Sequence, residues 1–171
     1  MKKNVLVLLL IILAIGASFA QNQANIWHFG NHGGLNFNTG EPIVINNIPF
    51  SSAHACASMS DQDGNFLFSC NGQTIWNRNM QIMQNGDGLI GNSFASQGAL
   101  IIQRPDSFNQ YYVFTVAAFT NPVGVHYSIV DMSLDGGLGA VTNEKNISMN
   151  AAWDALEKLT SVRHSNGIDI W

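Results

Sequence analysis

An all-β fold of short antiparallel hairpins is what this sequence predicts, and three observations predict it. Runs of β-branched and aromatic residues bounded by Gly, Asn, Asp and Pro recur along most of the chain. Charge is sparse, at 11% of residues, while sixteen glycines serve tight turns. An apolar strand, a polar turn and an aromatic strand then recur in that order, as CASMSDQDGNFLF (56–68), LIIQRPDSFNQYYVF (100–114) and LTSVRHSNGIDIW (159–171). Phe68, Phe114 and Trp171 end these copies, 46 and 57 residues apart. A period of about 40–50 residues belongs to the four-stranded blades of a β-propeller. The expectation is therefore a partial β-propeller of about three blades over 21–171. A ring needs about four blades, and the chain stops at Trp171 within a predicted strand, so the domain reads as truncated at its C-terminus.

The elements follow in order. Lys2 and Lys3 precede an apolar run over 5–15 and the small residues Ser18 and Ala20, which predicts a signal peptide over 1–20 cleaved before Gln21. The run is too short to span a bilayer, so no stable membrane span is expected after cleavage. The protein is expected to be exported, at least to the periplasm and, in a full-length form, to the cell surface or beyond. Losing the leader leaves five basic against eleven acidic residues, a formal charge of −6. Nothing basic clusters to neutralise phosphates, which argues against nucleic acid as a partner.

Strands are predicted at 26–29, 42–46, 54–60, 65–70, 73–77, 98–103, 111–118, 124–131, 159–164 and 168–171. One helix-like stretch, 151–159, has Asn150 as its cap and carries Trp153, Leu156 and Leu159. The clearest hairpin is 55–70, turned by Asp61-Gln62-Asp63-Gly64, with Gly64 supplying the positive φ. A type I turn with a glycine bulge pairs residues whose numbers sum to 126. That register sets Cys56 opposite Cys70, a possible disulfide in an exported protein. A two-residue turn at Asp63-Gly64 gives a sum of 127 and sends the two sulfurs to opposite faces.

Candidate chemistry is thin. Asp61, Asp63 and Asn65 resemble the start of a calcium loop, since alternate carboxylates can converge on a hard cation. A later bidentate Glu is missing, and a tight turn wants the same residues for its backbone, so the turn reading is preferred and no cofactor is expected. The glycine-rich 134–139 opens no amphipathic helix and reads as a surface turn. His28, His32, His54, His126 and His164 lack metal-ligand spacing. No nucleophile elbow is present, and nothing in the spacing sets Asp87, Asp106 or Asp131 across a cleft from one another, so no catalytic residue is predicted. Trp27, Trp76 and Trp171 each end an Ile-Trp pair. Such aromatics pack between blades or stack on a sugar ring, and Trp27 and Trp76 are the ligand-stacking candidates.

The segments NIWHFGNHGGLNFNTGEPI (25–43), ACASMSDQDGNFLFSCNGQTIWNRN (55–79), MQNGDGLIGNSFASQGALIIQRP (83–105) and HYSIVDMSLDGGLGAV (126–141) carry a family resemblance. Together they resemble the N-terminal propeller-like region of large exported Bacteroidota proteins. Those proteins end in a gliding-motility-associated domain, the type B sorting signal of type IX secretion, which this sequence lacks. Cys56 falls where the pattern carries a Cys, and Cys70 where it more often carries a hydroxyl residue. The resemblance implies a secreted or cell-surface interaction or scaffold module, adhesive in character, that meets a protein or glycan ligand. The alternatives are a secreted glycan-acting hydrolase or carbohydrate-binding propeller, and a structural spacer.

Overall fold

The computed structural model describes residues 22–118, 124–149, 155, 157–162, 164–166 and 169–171. The expected leader lies outside the described residues, as does most of the expected helix. The described end of that stretch pairs as extended chain, with Lys158 bridging to Gln97 and the Leu159 N–H donating to the Gln97 carbonyl at 3.0 Å.

The fold is all-β. Among the described residues eleven strands form three small antiparallel sheets. The first holds β1 (Ile26–Phe29), β2 (Asn31–Asn36) and β3 (Ile43–Ser51); the second holds β4 (Ala57–Ser60), β5 (Phe66–Cys70) and β6 (Ile75–Asn77). The third runs β7 (Ala99–Gln103), β8 (Gln110–Val116), β9 (Val125–Asp131) and β10 (Ala140–Val141), with β11 (Ile147–Ser148) also on β9. Apart from β11, which returns to β9, the strands within each sheet follow chain order. Sequence repetition located the first two strands of the second and third sheets, β4–β5 and β7–β8. The equivalent pair in the first sheet, β1–β2, escaped it because β2 carries Gly33 and Gly34 where the other copies carry aromatics.

Alternation along each strand decides what packs where. In the second sheet the rows Met59↔Phe68 and Ala57↔Cys70↔Ile75 face the third sheet, which answers with Ile101, Tyr111, Val113 and Val130. Phe68 meets Tyr111 edge-on at 5.5 Å. The opposite row, Ser58↔Ser69↔Trp76, faces the first sheet, where Ile48 and Phe50 close the seam and Phe50 meets Trp76 at 5.2 Å. The first strands of the sheets lie side by side: β1 packs on β4, and β4 on β7.

The β4–β5 hairpin decides between the two registers open to the cysteines. Its turn is as predicted: the Asp61 N–H bonds the Asn65 carbonyl at 2.9 Å, and Gly64 has φ of 85°. Ser60↔Phe66 keeps the sum of 126. A second bulge then skips Leu67, so that Met59 pairs with Phe68 and Ala57 with Cys70. One residue of slip sends the sulfurs apart. Cys56 lies outside β4 and is exposed, Cys70 is buried, and both are free.

Candidate functional site

Neighbouring first strands leave a trough open to solvent. One recess, of about 290 Å³, lies between β1 and β4 and is lined by Ala24, Trp27, His28, Phe29 and 56–58. A second, of about 370 Å³, shares Ala24 and Ser58 and continues over Met59, Ile101, Ile102 and Gln103 to Ser161 and Ile170. Gln23 joins this recess to a third at the β4–β5 turn. The second recess mixes apolar side chains with Ser58, Ser161, Gln23 and Gln103, and the third adds the carboxylates of Asp61 and Asp63.

Strand alternation puts Trp27 and Phe29 on the same face of β1, 50% and 39% exposed, while Ile26 and His28 point to the core. Trp27 is held in place: its indole N–H donates to the Ala24 carbonyl at 2.6 Å, and its ring lies 4.9 Å from Phe37. A pinned aromatic that stays half exposed offers a flat apolar surface at little entropic cost. Cys56 lines the same recess, its thiol pKa raised by partial desolvation.

Behind the trough sits His28, 3% exposed. Its Nδ1 is 3.1 Å from Ser69 Oγ, its backbone N–H donates to Ser58 Oγ at 2.8 Å, and Phe66 lies 4.4 Å away. Burial lowers its pKa from 6.5 to about 4, so the ring is neutral at physiological pH. Gln23 Oε1 is buried and, among the described residues, has no hydrogen-bond partner.

The remaining sequence candidates separate. Trp76 is corrected: it is 9% exposed, buried against Phe50, and cannot stack on a ligand. Asp61 spends its carboxylate on the turn, Oδ1 accepting the N–H groups of Asp63 and Asn65 and Oδ2 the Asn65 side-chain amide. Asp63 and Asn65 flank it on the turn, and among the described residues no group of three His, Cys, Asp or Glu is placed to hold a metal. His32 bonds the Ile48 carbonyl through Nδ1 at 2.8 Å, away from the Ser69 contact of His28. Asp131 accepts from Gln110 and Ser133, which hold its pKa below the ordinary value. Among the described residues no helix is long and apolar enough to cross a membrane.

Sequence reasoning missed Phe29, Gln23 and the β7 contributions of Ile102 and Gln103. The alternation of Trp27 and Phe29 across one strand face was the available signal for Phe29. The others depend on which sheets stack, which no local pattern encodes. Searches of protein-family models, curated proteins and solved structures find no match to this chain.

Proposed function

We propose that this chain is a recognition and scaffold module of an exported cell-surface protein, its three sheets standing as successive blades of a propeller-like stack. The observation that carries the reading is the trough across β1, β4 and β7, with the pinned, half-exposed Trp27 at its wall. Meandering sheets whose first strands adjoin are how blades surround an axis, and the packing of β1 on β4 and β4 on β7 fits that pattern. The mixture of apolar side chains with Ser58, Ser161, Gln23 and Gln103 in the second recess suits a polar ligand with apolar faces, a glycan or an extended peptide. Binding of this kind needs no reactive group. The glycan-binding form of the reading is favoured by Trp27, whose flat face matches the apolar face of a pyranose.

The test is an array of immobilised oligosaccharides and purified envelope proteins probed with the purified protein, alongside an assay of the same oligosaccharides for cleavage. Retention without cleavage is the expected result. Turnover of any oligosaccharide would replace this reading with the hydrolase alternative.

A further inference from the structure

We propose that Asp135 is a site of spontaneous backbone modification, isomerising through a succinimide to isoaspartate at its bond with Gly136. The reaction needs an aspartate carboxyl, the main-chain nitrogen of the next residue, and room for the two to meet. Glycine in the second place supplies the room, because it has no side chain to shield its nitrogen. The chain holds three such pairs, Asp63-Gly64, Asp87-Gly88 and Asp135-Gly136. All three aspartates are exposed, so exposure does not choose among them.

Their hydrogen bonds do choose. At the β4–β5 turn the nucleophile is engaged: the Gly64 N–H donates to the Asp61 carbonyl at 3.1 Å, and the Asn38 side-chain amide donates to the Gly64 carbonyl at 2.9 Å. At Asp87 the electrophile is held, with Oδ1 accepting from Thr74 Oγ1 at 2.9 Å. Lys145 Nζ donates to the Asp87 carbonyl at 2.6 Å and the Asn146 side-chain amide to the Gly88 carbonyl at 3.0 Å, which clamps that pair from outside. Asp135, in the connection between β9 and β10, differs on both counts. Among the described residues its carboxylate has no hydrogen-bond partner. The hydrogen bonds of its turn run from the N–H groups of Gly137, Leu138 and Gly139 to the carbonyls of Leu134 and Asp135, and they pass over the Gly136 N–H. Space beside Gly136 is open, since a Cβ there would meet nothing within 4 Å.

The chemistry needs nothing but water. The Gly136 nitrogen attacks Asp135 Cγ, a C–N bond forms, and the carboxyl hydroxyl leaves as water with the proton that the nitrogen gives up. Water then adds back to the five-membered ring. Opening at the side-chain carbonyl restores aspartate, whereas opening at the main-chain carbonyl leaves the chain running through Cβ and Cγ with the carboxylate on Cα. Mass is unchanged, but the main chain gains one methylene just ahead of Gly137. The Gly137 carbonyl accepts from Arg78, the residue that follows β6, so the modification loosens a link between the second and third sheets.

Prolonged incubation of the purified protein, folded and in concentrated urea, tests the proposal, with isoaspartate located by isoaspartyl methyltransferase labelling and peptide fragmentation. The unfolded chain supplies the intrinsic rate of each pair. Relative to those rates, folding should slow Asp63 and Asp87 at least about tenfold more than Asp135, because each must first break its hydrogen bonds by local opening. Isoaspartate should therefore gather at Asp135 in the folded protein. Equal slowing at all three aspartates overturns the proposal. So does a folded protein in which Asp135 stays aspartate while Asp63 or Asp87 isomerises.

Discussion

Where the first two sheets meet, His28 is one imidazole held neutral between Ser69, Phe66 and Phe50. Its folded pKa of about 4 lies below the ordinary 6.5. The unfolded chain therefore takes up a proton at a pH where the folded chain does not. This contribution is fully present above about pH 6.5 and is lost as pH falls from there through 4, amounting to about 2 kcal/mol after allowance for solvent screening. Urea midpoints measured across that range should fall more steeply for the wild type than for His28→Gln, which cannot titrate; equal slopes would show that His28 does not carry the effect. The strand over 26–29 is legible in sequence, whereas Gly33 and Gly34 hide its partner β2 by resembling turn residues. Gly34 is instead a strand residue facing His28 across β1 and β2. A Cβ there would come within 2.9 Å of His28 Cδ2 and collide with the Trp27 carbonyl oxygen, so the glycine answers a cross-strand neighbour rather than a turn.

Among the elements, the β4–β5 hairpin shows how far local chemistry reaches. Asp61, Asp63 and Gly64 specify the turn, and the turn forms as their chemistry requires. Register beyond it is decided by burial on two sides: Leu67, Phe68, Ser69 and Cys70 are all buried, and the bulge at Leu67 lets Phe68 face the third sheet while Ser69 meets His28. That demand comes from the neighbouring sheets, so the hairpin's own residues do not reveal it. Cys56 and Cys70 should accordingly remain thiols. Mass spectrometry without reductant should find Cys56 alkylated in the native protein and Cys70 only after unfolding, since burial pushes the Cys70 thiol up to about 12. A Cys56–Cys70 bridge would mean that the strands slip by one residue.

At the scale of the whole molecule, three meandering sheets stack through seams of unequal size. The seam between the second and third sheets gathers Phe68, Cys70, Ile75, Met83, Val113 and Val130, all nearly fully buried, whereas Ile48, Phe50 and Trp76 close the seam to the first. Native-state hydrogen exchange should therefore show β1–β3 opening at a free energy at least about 1 kcal/mol below β5 and β8. A single common exchange free energy would instead indicate one indivisible unit. The strand content and most strand positions were legible because alternation and turn residues are local; the stacking, and with it the trough, rests on contacts between residues far apart in the chain. The central claim is that recognition occurs across the first strands, with Trp27 as its anchor. Its most direct test is the affinity of wild type, Trp27→Ala and Phe94→Ala for whichever array member the wild type retains most strongly, Phe94 being an exposed aromatic outside the trough. The account predicts a loss of about tenfold or more for Trp27→Ala and no change for Phe94→Ala; undiminished binding by Trp27→Ala would contradict it.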